Sequence, residues 1–312
     1  MNHTTLICGS LAFDKIMQYE GRFSETLIAG QLHKLNVSYL VPTLRTEYGG
    51  CAANIAYNLK LLGGDPLIMA TLGQDGGEYL ERFAAQGIST RCVRTIANSY
   101  TAQCFVTADL DGNQINAFHP GAMQMSHENN VSEAGAIAVA IVAPDGRDGM
   151  LKHARDCHAL GIPLMFDPGQ QLPRFNGEEL IAFIDQATYV ACNDYEFEML
   201  MDRTGLSLPQ IAERLQALIV TRGDKGSEIY ADGERHLIPS VQASAVLDPT
   251  GCGDAYRAGL LYGITHGFDW PTTGRLASLL GAIKIAHQGG QNHHFTPGEL
   301  ADRFEAAFGY RY

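Results

Sequence analysis

The chain is short of positive charge: 22 Lys and Arg stand against 34 Asp and Glu, a formal net charge of −12 at pH 7. Broad nucleic-acid binding is thereby excluded, because neutralising many phosphates takes clustered Lys and Arg. A local nucleotide site is not excluded, since backbone N–H groups can hold a phosphate. Paired cysteine spacing is also missing. Seven cysteines (Cys8, Cys51, Cys92, Cys104, Cys157, Cys192, Cys252) are dispersed with no C-x-x-C. An odd, scattered set fits a reducing compartment better than a disulfide framework. No apolar run is long enough to span a bilayer, and the N-terminus shows no basic stretch followed by an apolar one. The expectation is a cytoplasmic protein with neither a membrane nor a nucleic-acid partner. H-E-x-x-H, G-x-S-x-G and the Walker-type G-x-x-x-x-G-K-[ST] are all absent, which removes three common catalytic plans.

What is present is ordinary globular material. The 312 residues, 46% hydrophobic and 18% charged, suffice for one large domain or two modest ones. Strand and helix patterns alternate. Strands are predicted at Thr4–Cys8, Pro66–Thr71, Ala136–Ala143, Ile162–Phe166, Tyr189–Cys192, Ala217–Thr221 and Ser227–Tyr230. Helices are predicted at Gly50–Leu62, Glu78–Ala85 and Gly149–Leu160, each closed by glycine. This rhythm predicts an α/β fold with a doubly wound, mostly parallel sheet flanked by helices. Four more polar segments, Phe13–Tyr19, Leu35–Leu40, Gln103–Ala108 and Gln114–Phe118, predict a small antiparallel β-sheet lid. Asp111-Gly112-Asn113 reads as the hairpin turn between the last two. The boundaries follow: a core from 1–12, 46–97 and 120–312, and a lid from 13–45 and 98–119.

Ligands of such sheets bind beyond the carboxyl ends of the strands, and polar residues fall there. The most telling segment is Asp248-Pro249-Thr250-Gly251-Cys252-Gly253-Asp254 before an apolar helical run. A helix N-terminus offers unpaired N–H groups and partial positive charge, and glycines let a phosphate come close. A carboxylate beside a bound phosphate is electrostatically out of place unless it acts as a base. The same string also suits a plain strand–turn–helix junction. Asn193-x-x-Glu196 could hold a hydrated Mg²⁺ or cap a helix. Thr221-Arg222-Gly223-Asp224-Lys225-Gly226 could lie under a nucleotide or be a tight turn. Gly49-Gly50 and Asn54 open a helix and could approach a sugar, and Asp14 could accept two vicinal hydroxyls. Gln103, Phe118 and Gln170 are candidate base contacts. His293-His294 lacks a third ligand at useful spacing and reads as solvated. Arg257 points either toward phosphates or to solvent.

With these residues in view, the chain resembles the ribokinase-like, or phosphofructokinase-B, carbohydrate and nucleoside kinases. The signatures occur in order: Gly49-Gly50 with Asn54-Ile55-Ala56 and Leu62-Gly63, then Asn193-x-x-Glu196, Thr221-x-Gly223-x-x-Gly226 and the 248–254 string. Leu40-Val41-Pro42-Thr43 and Phe118-His119-Pro120-Gly121 are most similar to the bacterial nucleoside and adenosine kinase branch. The resemblance implies ATP-dependent phosphorylation of a nucleoside 5′-hydroxyl. Asp254 is then the base, the backbone of Gly251, Cys252 and Gly253 is the anion hole, and Asp14, Gly50 and Asn54 hold the sugar. Asn193 and Glu196 support Mg²⁺ and phosphate, the Mg²⁺ through water on Glu196. Thr221, Gly223 and Gly226 line the ATP turn, and Asp248 and Thr250 mark a monovalent cation site, K⁺ in many relatives. A sugar kinase and a non-catalytic nucleoside sensor are the alternatives. Exposed lid edges suggest a homodimer through the lid. Two departures stand out. Cys252 replaces a usual alanine, and its place at a helix N-terminus predicts a depressed thiol pKa and oxidant sensitivity. Asp167-Pro168-Gly169 replaces a more frequent Asp-x-Asn.

Overall fold

The structure, a computed structural model, describes residues 3–27 and 36–312. The chain runs through β1 (Thr4–Cys8), β2 (Ala12–Gln18), a one-turn α1 (Phe23–Thr26), β3 (Thr43–Gly49), α2 (Cys51–Leu61), β4 (Asp65–Leu72), α3 (Gly77–Ala85) and β5 (Ser89–Thr95). Next come β6 (Ala102–Ala108), β7 (Gln114–His119), β8 (Val139–Val142), α4 (Arg147–Ala159), β9 (Leu164–Phe166), α5 (Gly177–Gln186), β10 (Tyr189–Asn193) and α6 (Asp194–Thr204). The remainder is α7 (Leu208–Ala212), β11 (Ala217–Thr221), β12 (Ser227–Ala231), β13 (Glu234–Ile238), α8 (Cys252–His266), α9 (Trp270–Ile285) and α10 (Pro297–Phe308).

Among the described residues, nine strands form one sheet in the order β13-β12-β11-β10-β9-β8-β1-β4-β5, with every pair parallel except β11–β12 and β12–β13 at one edge. Its inner strands are apolar on both faces, as a sheet covered on both sides requires. Ile7, Ile68 and Ala70 pack toward α2, α3, α8, α9 and α10. Their neighbours Leu6, Leu67 and Met69 pack toward α4, α5, α6 and α7. The doubly wound core expected from the sequence is therefore present. Strands β5 and β13, both partly polar, escaped the sequence pattern.

The second sheet has the order β3-β2-β6-β7. Pairs β2–β3 and β6–β7 are antiparallel, and the seam β2–β6 between them is parallel. The strand predicted at Leu35–Leu40 needs correction. Leu35 lies outside the described residues, and 36–40 carry no strand. The partner of β2 is instead β3, so the small sheet reaches past the expected boundary at 45/46 to Gly49. Register explains the shift. Gly49 must stand opposite Ala12 for the chain to pass directly into α2, and the more β-like composition of 35–40 cannot override that. Ala12, Gly49 and Ala102 share one register row, and β7 ends one residue further along, with His119 opposite Gln103. The same alternation puts Asp14, Cys104 and Phe118 on one face of the small sheet and Phe13 and Gln103 on the other.

Candidate active site

Helix α8 begins at Gly251, whose φ of +79° is left-handed. The left-handed φ favours glycine, and a Cβ there would also sit tightly, 3.2 Å from Gly290 Cα. A Cβ at Gly253 would meet nothing within 4 Å, and the first-turn amides of a helix have no intrahelical acceptor. The Cys252 amide already donates to the Pro249 carbonyl (3.1 Å). Asp254 sits in that first turn, half-buried. Asn54 Nδ2 donates to its Oδ2 at 2.8 Å. Burial raises the Asp254 pKa to about 6, opposed by the Asn54 bond, pushed further by Asp167 and lowered by Arg257. A carboxylate poised there is suited to general-base work near neutral pH.

Asn54 is itself held. Gln291 Nε2 donates to Asn54 Oδ1 (3.0 Å) and to Tyr79 Oη (2.9 Å), and Tyr79 Oη donates to the Gly49 carbonyl (2.6 Å). Asp254 is thus linked by hydrogen bonds to the start of α2. Tyr79 and Gln291 were missed from the sequence. The Gly289-Gly290 pair before Gln291 was the available signal, since Gly290 lies against Asn54 so closely that a side chain cannot fit.

Asp14 lies on β2, and Gly49 leaves it room: a Cβ there would be 2.6 Å from Asp14 Oδ2. Burial lifts the Asp14 pKa to about 6, with Asp248 and Glu47 adding to the rise. Gly50, at φ +91°, presses on the chain preceding β2, where a Cβ would be 2.5 Å from the Ser10 carbonyl. Phe118 shares the Asp14 face and is 52% exposed. Gln103 is on the other face and donates to Asp75 Oδ2 (3.0 Å), which places it apart from that surface. Gln170, in the turn after Asp167, reaches Cys51 Sγ at the start of α2 (4.0 Å).

At the other strand ends, Asn193 and Thr221 stand in register on β10 and β11. Asn193 and Glu196 form a reciprocal capping box, with Asn193 N donating to Glu196 Oε2 (2.9 Å) and Glu196 N to Asn193 Oδ1 (2.7 Å). Burial still raises the Glu196 pKa. Gly223 (φ +58°) opens to empty space, whereas Gly226 (φ +86°) abuts the Ile238 carbonyl. Asp248 Oδ1 accepts from Thr250 N and its Oδ2 from Gly289 N, both at 2.8 Å. The Asp248 carbonyl, which a monovalent cation would use, already accepts from Lys284 Nζ (2.7 Å). These residues therefore do not fit K⁺ at that point. Among the described residues, no group of three or more His, Cys, Asp or Glu could hold a metal.

Three expectations are corrected. Arg257 faces neither phosphate nor solvent: it is buried, and Nε and Nη2 grip Asp167 at 3.0 and 3.2 Å. His293 is buried, with Nε2 2.7 Å from Asn58 Oδ1, and burial lowers its pKa to about 4. Burial raises the Cys252 thiol to about 11, opposed by Lys284, while Asp248 and Asp254 push it further up. Desolvation and two carboxylates thus outweigh the helix terminus.

A half-buried carboxylate in the first turn of a helix whose N-cap is a left-handed glycine, hydrogen-bonded to Asn54, is the arrangement of a phosphotransferase with a hydroxyl acceptor. The chain belongs to the pfkB family of carbohydrate kinases, whose pattern it matches over residues 11–296. It is similar to the nucleoside kinase of Burkholderia thailandensis, solved in complex with inosine, at 56% identity and a TM-score of 0.89, covering 98% of this chain and 99% of that one. The nucleoside kinase of Methanocaldococcus jannaschii is 31% identical over 272 residues, 86% of this chain and 89% of its relative. Ribokinase from Cryptococcus neoformans shares the fold, with a TM-score of 0.80 at 17% identity over 96% of this chain and 99% of that one. Among the described residues, no helix is long and apolar enough to cross a membrane.

Proposed function

We infer that the chain transfers the γ-phosphoryl group of ATP to the 5′-hydroxyl of a ribonucleoside. The observation that carries this reading is the pairing of Asp254 with Asn54 at 2.8 Å, together with a sheet face that presents Asp14 and Phe118. Asp14 accepts from the vicinal ribose hydroxyls, Phe118 and Gln170 border the base, and the 5′-oxygen meets Asp254. Asp254 takes the hydroxyl proton as the oxygen attacks the γ-phosphorus, the bond from that phosphorus to the bridging oxygen breaks, ADP leaves, and the α8 amides hold the transferring group. The Burkholderia thailandensis enzyme, solved with inosine and with ADP-inosine, supports a nucleoside acceptor. Mg²⁺ neutralises phosphate charge when bound with ATP. The carboxylate oxygen of Glu196 outside the capping box would order its waters, and Thr221 and Gly223 would border the nucleotide. A purine nucleoside is the preferred acceptor.

The small sheet supports a homodimer. Leu44 (65% exposed) and Ile115 (46%) share a register row with Met17 and Thr107 on the face away from Asp14, and a second copy covers that apolar row.

Steady-state ATP turnover over adenosine, inosine, guanosine, cytidine, ribose and fructose tests the acceptor. Nucleosides exceed free sugars in kcat/KM, and the reverse order overturns the reading. Asp254→Asn keeps nucleoside-induced thermal stabilisation while turnover falls by about 10²–10⁴. Near-normal turnover in that variant removes Asp254 from the role of base.

A further inference from the structure

Lys284, in the last turn of α9, is 0% exposed. A buried ammonium is costly unless it is well partnered, so its location needs a reason. Nζ donates to the Asp248 carbonyl at 2.7 Å and to the His287 carbonyl at 3.1 Å. The Asp248 and His287 carbonyls belong to two loops that meet below the start of α8. One, 248–250, leads into Gly251. The other, 287–290, brings Gly290 against Gly251 and Asn54. They are also clasped through Asp248 Oδ2, which accepts from Gly289 N. Converging carbonyls beside a carboxylate are the donor set of a hard cation. In this chain the point between them is filled by a side-chain ammonium. Helix packing fixes its position: at Gly259, α8 lies so close to α9 that a Cβ would be 2.5 Å from Ala277 Cα. The charge also lies within electrostatic reach of Cys252, Asp248 and Asp254.

We propose that Lys284 is the built-in cation of this site: its ammonium replaces a bound monovalent ion, fixes the two loops that shape the start of α8, and makes turnover independent of K⁺. The proposal rests on the reading of residues 251–254 as the phosphoryl site. Lys284 touches no reacting atom and is a positioning residue.

The test compares turnover of the wild-type enzyme in potassium, ammonium and tetramethylammonium chlorides at one ionic strength, with Mg·ATP prepared free of alkali metal. Equal turnover in all three salts is expected. A drop of about tenfold or more without potassium overturns the proposal, whereas no phosphorylation in any salt overturns the kinase reading instead. Lys284→Ala then loses kcat while nucleoside KM is kept, and propylammonium, the fragment removed, restores turnover. Its melting temperature rises with potassium or propylammonium over tetramethylammonium at equal ionic strength, while that of the wild type does not. A folded Lys284→Ala enzyme that turns over normally in tetramethylammonium chloride, or that neither ion rescues, overturns the proposal. Should the variant fail to fold, the wild-type salt comparison decides alone.

Discussion

Removing the hydrogen bond that holds the base shifts the pH at which the enzyme switches on. Asn54→Ala deletes the 2.8 Å donor to Asp254 Oδ2. That bond favours the ionised carboxylate, and with it Asp254 titrates at about 6. A hydrogen bond to a charged group contributes about 1.5–3 kcal/mol, and about 1.4 kcal/mol is one pKa unit. The acid limb of the variant therefore moves up to about 7–8. Water entering the space left by the side chain re-donates to the carboxylate and favours the lower end of that range. The sign follows from the role: a base must be unprotonated, so turnover falls as pH falls, and the variant needs a higher pH. At pH 7 the wild-type base is about nine-tenths ionised, and the variant between about one-half and one-tenth. The assay is kcat against pH at saturating nucleoside, which reports groups in the bound complex. Comparing the two enzymes removes the contribution of Asp14, which also titrates at about 6. A variant whose plateau drops while its limb stays in place refutes the coupling of Asn54 to the base.

Arg257→Met strands the Asp167 carboxylate in the interior and lowers unfolding free energy by about 3–5 kcal/mol. Urea denaturation measures it, and the double variant Arg257→Met/Asp167→Leu recovers much of the loss. A double variant no more stable than the single one refutes the assignment. Gly50→Ala drives a Cβ to within 2.5 Å of the Ser10 carbonyl at φ +91°. It costs about 1–3 kcal/mol of backbone strain, and a change under about 0.5 kcal/mol shows that the α2 entry relaxes freely. With its thiol at about 11, Cys252 is thiolate in about one molecule in three thousand at pH 7.5. Iodoacetamide therefore leaves turnover intact while it labels a free thiol of ordinary pKa, and rapid inactivation traced to Cys252 contradicts the burial argument.

What could be read from the sequence was local. The 248–254 string and the Asn193–Glu196 box each lie within a few residues, so spacing alone places their groups on a helix N-terminus. The parallel core was legible for the same reason, because β4, β8, β9 and β10 are each followed by a helix. The groups that hold the site were not. Asn54 and Gln291 are 237 residues apart, and Asp167 and Arg257 are 90 apart. Nothing in either local pattern names its partner. In sequence His293 reads as solvated because adjacent histidines lack a third ligand at useful spacing, yet alternate residues of one loop face opposite ways, and His293 is buried while His294 is exposed. Cys252 shows the same limit in electrostatics: its position along the helix was visible, but Asp248, Asp254 and burial act through space.

The row shared by Ala12, Gly49 and Ala102 has a mechanical meaning. Three strands of the small sheet cross into the core along one line, and the fourth ends a residue away, so the sheet has a single crease. Asp14 lies two residues on the outer side of it, and Asp254 lies on the inner side. With the ligands placed as proposed, ATP rests on the inner side alone, and a water molecule is too small to touch both. Only a molecule long enough to bridge the crease, diol at one end and primary hydroxyl at the other, joins the halves. On that proposed placement, the fold line would act as a coincidence detector, and an acceptor of the right length would be what joins its two sides.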